Sequence, residues 1–263
     1  MTTIISETDG NVAVVTIDKP KRRNALTHAE FLELAQAVER AGADAAVRAV
    51  VLTGTGPAFC AGADLVDGAS EVAEALAAGD DADGAPMANA TAMIRAVTAC
   101  PVPVFAAVEG AAAGIGASLA LACDLIVAGK SGFFTLPFGR IGLVPDGAAC
   151  LTVAASLGRA RAMQLAMTQS RLPAEEAAAA GLVAEVVEDG EALSAARELV
   201  AGVLAGSPRE ALAEVKALIN GATLADLDGQ LAVEAEVQPR LLTSEGHREG
   251  VAAFLERRSP DFG

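Results

Sequence analysis

Three short stretches place reactive side chains or accessible backbone at the ends of apolar segments. The first, Phe59-Cys60-Ala61-Gly62-Ala63-Asp64-Leu65, follows a strand-like run and a glycine turn. Its small residues let backbone N–H groups approach a bound molecule closely. The second runs from Glu109 through Gly110, Gly114 and Gly116 to Leu119. It follows a buried-strand pattern and opens a helix, which presents unbonded N–H groups at the positive end of the helix dipole. Two such N–H donors, one from each turn and aimed at one carbonyl oxygen, form an oxyanion hole. The third, Leu136-Pro137-Phe138-Gly139-Arg140-Ile141-Gly142-Leu143-Val144-Pro145-Asp146-Gly147, sets the carboxylate of Asp146 before an apolar helix. Ordinary structure also accounts for each stretch taken alone. Asp64 and Asp146 are good helix caps, and close helix–strand packing needs small residues. The glycines at 110, 114 and 116 do not form a GxGxxG fingerprint, and a P-loop's Lys and Ser/Thr are absent.

The surrounding elements follow from pattern. Ile4–Thr8 and Val12–Ile17 flank Asp9-Gly10, a hairpin signal. A basic loop, Lys19 to Asn24, leads to Thr27 and Glu30, spaced as a capping box for a helix whose core face is Phe31, Leu34, Ala35 and Val38. Strands are expected at Ala49–Leu52, Val104–Val108, Asp124–Val127, Phe133–Leu136 and Leu182–Val187. Helices are expected at about Ala88–Thr98, Gly110–Ala122, Gly147–Leu157 and Ala160–Thr168, and through most of Glu191 to Glu256. Pro173 reads as a first helical residue, with Gly181 just past that helix's end. Leu65 to Ala90, rich in Asp, Glu, Gly and Ala, reads as a surface segment. The order is α/β with crossovers rather than a sandwich. Residues 1–195 read as the core and 196–263 as a helical region.

Composition narrows the partners. The 263 residues carry a net charge of -15, with no Trp or Tyr. That balance excludes duplex DNA and anionic membrane as partners, since both need a basic face. The absent aromatics remove the usual base-stacking platforms. The four cysteines, Cys60, Cys100, Cys123 and Cys150, have no CxxC spacing and read as buried thiols in a reducing compartment. The uncharged run between Glu109 and Asp124 has 14 residues, short of the roughly 20 that span a bilayer. With no signal-peptide pattern at the N-terminus, the expectation is a cytoplasmic protein. His28 and His247 lack partners at metal-ligand spacing and read as solvated surface residues, so no metal is expected. Glu109 reads as structural, and Asp80–Asp83 as a solvated loop rather than a metal site.

Lys19-Pro20…Asn24-Ala25-Leu26, FCAGADL, EGAAAGIGASLALACDL and IGLVPDGA occur in an order and spacing that resembles the enoyl-CoA hydratase/isomerase (crotonase) superfamily. The 173–183 stretch and the tail from Glu249 to Pro260 resemble it too. The resemblance implies a spiral of ββα turns with a C-terminal helical region that builds trimers or dimers of trimers. It implies an acyl-CoA thioester as substrate and no covalently bound cofactor. By position, the oxyanion donors are the N–H groups of Ala63 and Ile115. It also implies substrate and CoA contacts at Arg22, Arg23, Ala25, Ala61 and Gly62. Further contacts fall at Asp64, Leu65, Gly114 and Phe138, and in the tail at Phe254 and Arg257. Residues 66–90 lie where the family varies over the acyl pocket.

Two departures decide between activities. The family's hydratases use two glutamates, and the matching positions here are Ser118 and Phe138. Neither side chain can serve as a base at neutral pH, which disfavours hydration. Asp146 matches an aspartate of the family's isomerases, and the Ala-Gly-Ile-Gly-Ala-Ser and Gly-Leu-Val-Pro-Asp-Gly runs most resemble the epoxyphenylacetyl-CoA isomerase-like members. A single carboxylate suffices to take a proton near a thioester and return it elsewhere. The apolar Phe138, Ile141, Leu143 and Val144 are expected to raise its pKa by desolvation. The alternatives are an atypical hydratase that recruits another carboxylate, such as Glu109 or one from 66–83, and a non-catalytic acyl-CoA binding protein. A dehalogenase with a nucleophilic aspartate ranks third, since the family's dehalogenases rely on aromatic residues including Trp, which this chain lacks.

Overall fold

The computed structural model describes residues 3–65 and 85–263. Among these residues the chain forms ten strands and ten α-helices. The hairpin β1 (Ile4–Asp9) and β2 (Val12–Ile17) pairs in antiparallel register, Ile4 opposite Ile17. Thr27 accepts a hydrogen bond from the Glu30 N–H while the Glu30 carboxylate accepts one from the Thr27 N–H, so the capping box starts α1 (His28–Ala43) as read.

Three strand pairs then repeat one plan. They are β3 (Ala49–Gly54) with β4 (Ala58–Cys60), β5 (Val104–Val108) with β6 (Ala111–Ala113), and β7 (Leu125–Gly129) with β8 (Phe133–Thr135). The first strand of each pair joins a six-stranded sheet, completed by β1, β2 and β10 (Glu185–Val187). The second joins a four-stranded sheet, completed by β9 (Arg171–Pro173). A helix follows each pair: α2 (Ala85–Thr98), α3 (Ile115–Ala122) and α4 (Ala149–Leu157). This is the expected spiral of ββα turns. The helices α5 (Arg159–Thr168) and α6 (Ala174–Ala179) flank β9 along the chain.

Parallel strands buried on both faces need apolar residues; β5 supplies them throughout, and β3 does so apart from Thr53, whose hydroxyl donates to the Ala107 carbonyl. One face of the large sheet, with Val14, Val51, Phe105 and Val127, packs on Ala192, Ala196, Val200 and Leu204 of α7 (Ala192–Gly206). Those four helical residues recur every fourth position and so form one stripe. The expected boundary at 195/196 therefore falls inside a helix of the core. The Glu109 carboxylate accepts from the N–H groups of Gly190 and Ala192, both at 3.0 Å, which makes it the cap of α7 and a structural residue as read. The C-terminal region continues as α8 (Arg209–Thr223), α9 (Leu227–Leu242) and α10 (Glu245–Glu256).

Four expectations are corrected. The helix read from Gly110 begins at Ile115, because Ala111–Ala113 pair with β4 and β8 as a strand. The helix read from Gly147 begins at Ala149, because Gly147 and Ala148 both hold left-handed backbone, at φ 62° and 57°. Pro173 precedes the first helical residue of α6 rather than being it, and strand β10 starts only at Glu185. The acidic run Asp80–Asp83 and most of the expected surface segment lie outside the described residues.

Candidate active site

The two N–H turns are brought together by the small sheet. Strands β4 and β6 pair in parallel, so the loops that follow them emerge side by side. A Cβ added to Gly62, at φ 102°, would lie 2.8 Å from the Ala113 carbonyl oxygen and 3.7 Å from the Gly114 Cα. Only glycine permits that approach. Next to Gly62, Ala63 forms a parallel bridge with Leu26, in which Leu26 N–H donates to Gly62 and Asp64 N–H donates to Leu26. Backbone groups alternate along an extended chain, so the N–H of the exposed Ala63 points away from Leu26. Ile115 is the first residue of α3, and its N–H belongs to the set that has no intrahelical carbonyl. The Ile115 side chain is buried.

The loop before these turns is held by residues that the motif reading did not single out for this role. The fully buried Asn24, in left-handed backbone, donates to the carbonyls of Thr55 and Ala58 and accepts from Lys19 N–H. Ala61 N–H donates to the Arg23 carbonyl, and Ala25 is buried beside it. The Asp64 carboxylate is buried and ion-paired to Arg22 at 3.0 Å and Lys19 at 3.3 Å. Asp64 therefore ties the basic loop to the Ala63 turn. Lys21, Arg22 and Arg23 are exposed, and Leu65 is half-buried at the edge of the described segment.

Asp146 stands over the start of α3. It does not cap a helix. The Ser118 hydroxyl, on α3, donates to the Asp146 main-chain carbonyl at 2.7 Å. A Cβ on the adjacent Gly147 would strike Ile115 Cδ1 at 2.5 Å and Ser118 Cβ at 2.9 Å. Ser118, where the resemblance sets a family glutamate, thus ties the Asp146 loop to α3. Phe138, the other such position, is buried on the short turn Pro137–Ile141. Its ring tip lies 3.9 Å from where a Gly114 Cβ would stand. Phe138 therefore walls the site next to the oxyanion turn.

The Asp146 residue keeps some exposed surface, but its Oδ1 is buried with no hydrogen-bond partner among the described residues. Its Oδ2 accepts from Gln238 Nε2 at 3.0 Å. Burial pushes this carboxyl up to about 7, the Glu234 carboxylate pushes the same way, and the Gln238 hydrogen bond opposes both. Glu234 and Gln238, each 2% exposed, come from α9, some ninety residues downstream, and escaped the sequence reading. A signal exists: with Leu231 they occupy the buried stripe of α9, where two polar residues at core positions call for partners.

Other expectations separate. Both histidines are half-buried rather than solvated. His28 stacks edge-on against Phe31, and His247 Nδ1 bonds the Ile141 carbonyl at 2.7 Å. Phe254 and Arg257 face solvent at the end of α10, and Arg258 is held by Glu249 and Glu256.

In this two-sheet ββα spiral, the Gly62 and Gly114 turns meet and the loop carrying the desolvated Asp146 carboxyl packs on the start of α3. The family model for enoyl-CoA hydratase/isomerase matches residues 7–263, and the chain belongs to that family. A probable enoyl-CoA hydratase of Rhodobacter capsulatus is 43% identical over 99% of this chain and 97% of its own. The 1,2-epoxyphenylacetyl-CoA isomerase of Escherichia coli is 36% identical over 98% and 97%. The crystal structure of an enoyl-CoA hydratase from Mycobacterium avium subsp. paratuberculosis superposes with a TM-score of 0.88 at 38% identity, covering 99% of this chain and 98% of that one. Among the described residues, no helix is long and apolar enough to cross a membrane.

Proposed function

We propose that the protein is an acyl-CoA isomerase that shifts a double bond by proton transfer through Asp146. The carrying observation is that the Asp146 loop sits on the start of α3, with Gly147 against Ile115 and the Ser118 hydroxyl bonded to the Asp146 carbonyl; the resemblance adds that Ser118 and Phe138 match positions where the family's hydratases use glutamates. In this reading the substrate carbonyl accepts from the Ala63 and Ile115 N–H groups. Asp146 removes a proton, the bonding pair flows into the dienolate, and the same proton returns at another carbon. Each donor of such a hole contributes roughly a hundredfold to a thousandfold in rate. A carboxyl raised to about 7 is poised to both take and return a proton near neutral pH. The substrate is a CoA thioester, no further cofactor takes part, and the protein works in the cytoplasm as a trimer or dimer of trimers.

The test is Asp146→Asn assayed on straight-chain, branched and aryl enoyl-CoA thioesters. Isomerisation is expected to vanish while acyl-CoA binding persists. Full turnover by the variant would refute the mechanism, and a wild type that binds but never turns over would leave a binding protein. The named hydratase relative supports a second reading, hydration. It predicts uptake of solvent oxygen from labelled water, which isomerisation excludes.

A further inference from the structure

Asp146 is approached from one side by α3 and from the other by α9, and the α9 contacts are specific. The Gln238 amide pairs with both backbone groups of Val144: Oε1 accepts from the N–H at 3.3 Å and Nε2 donates to the carbonyl at 3.1 Å. That double pairing settles the amide's orientation, since the reverse would set like groups against each other. Nε2 is therefore the atom facing Asp146, and Oδ2 must accept. The proton of the neutral acid, and the free lone pair of the carboxylate, then fall on Oδ1, the buried oxygen that has no partner among the described residues.

Glu234, one turn earlier on α9, is bonded differently. Its carboxylate accepts from Ala148 N–H at 3.0 Å, from Gln230 Nε2 at 3.0 Å and from the Gly147 backbone. Burial raises the Glu234 carboxyl as well, but these hydrogen bonds favour its charged form and oppose that rise, so the negative charge of the pair falls on Glu234 and the proton on Asp146. The remaining neighbours do not compete. Ser118 on α3 spends its hydroxyl on the Asp146 main chain, and His247 on α10 bonds Ile141. Arg140 on the 137–141 turn is exposed, and the Cys150 thiol on α4 is itself pushed up by burial and by both carboxylates.

We propose that Gln238 and Glu234 are the positioning residues of Asp146: Gln238 selects Oδ1 as the oxygen that carries the proton, and Glu234 keeps that oxygen basic at neutral pH. This rests on Asp146 as the proton-transfer residue. Neither α9 side chain touches substrate. They act in opposite directions, one favouring the charged form and the other opposing it.

That opposition supplies the test. The acid limb of the kcat–pH profile is measured for wild type, Glu234→Gln and Gln238→Met. The same three proteins, without substrate, are titrated by infrared difference spectroscopy on the carboxyl stretch, with Asp146→Asn identifying the band. Glu234→Gln is expected to move both readouts down, and Gln238→Met to move both up, each by about one pH unit. A merely loosened α9 would admit water and move both variants down. A Gln238→Met shift that is absent or downward, or an unmoved Glu234→Gln, overturns the proposal. If Gln238→Met does not fold, Gln238→Glu replaces it and is expected to move the band further up. Opposite infrared shifts with unmoved turnover profiles uphold the positioning and overturn instead the catalytic assignment of Asp146.

Discussion

Replacing Asp146 with Asn should make the protein more stable at alkaline pH, and the gain follows from the geometry. A carboxyl near 3.8 in the unfolded chain and about 7 in the folded one binds its proton more tightly when folded. The stability it contributes as an acid is complete below the unfolded value and is lost as pH rises through the folded value. A difference of about three pH units, at about 1.4 kcal/mol each, costs the wild type at most about 4 kcal/mol above pH 8. The residue's remaining exposed surface reduces that figure toward about 2 kcal/mol. Asparagine keeps an acceptor for Gln238 Nε2 and carries no charge, but its amide nitrogen replaces Oδ1, which has no partner among the described residues. A protonated carboxyl has the same unpaired donor, so the two proteins should match near pH 4. The advantage of the variant should then grow between about pH 4 and 7 and level off. Urea unfolding of both proteins at one protomer concentration, in steps from pH 4.5 to 8.5, reads this directly, since association adds to apparent stability. A stability difference that stays constant with pH would refute the desolvated-carboxyl reading.

Gly147→Ala should abolish turnover and destabilise by roughly 1–3 kcal/mol, because left-handed backbone is added to a 2.5 Å clash with Ile115; calorimetry and activity check it together. Lys216→Met should cost about 3–5 kcal/mol in urea unfolding, because Lys216 is buried, donates to the Val97 carbonyl and pairs with Asp124, whose carboxylate would lose its countercharge. Charge reversal at Lys21 and Arg23 should weaken binding of CoA thioesters far more than of pantetheine analogues lacking the nucleotide, as read by calorimetric titration. Arg22→Glu should in addition slow turnover of both substrate forms, since it repels Asp64 beside the Ala63 donor.

The parts legible in the sequence are those governed by neighbours in the chain. The Thr27–Glu30 capping box, the Asp9-Gly10 hairpin and the core face of α1 (Phe31, Leu34, Ala35 and Val38) depend on local spacing, and they stand where that spacing puts them. The misread starts share one cause, which is tertiary override. Ala111–Ala113 has helix-forming residues, but two flanking strands offer hydrogen bonds that a helical turn there would forgo. Asp146 has the composition of a cap, but two consecutive left-handed residues separate it from α4. The site divides in the same way. Its glycine-rich turns are readable locally, whereas Glu234 and Gln238, which face its carboxylate, come from α9, beyond the reach of any local pattern.

The placement of Glu234 and Gln238 changes what the helical region after α7 does. Read from sequence alone, 196–263 is an assembly element appended to a chemical core. In the folded chain, burial raises Asp146 while α9 supplies a hydrogen bond and a carboxylate that act on it, and α10 braces the 137–141 turn through His247. Lys216 ties α8 to the core from the opposite side, through Asp124 and the Val97 carbonyl. A displacement of α9 by one or two ångströms would break a 3.0 Å hydrogen bond and admit water to a buried oxygen. Both changes act on the same carboxyl. Whatever fixes the helical region in place therefore also fixes the pH at which Asp146 can exchange its proton.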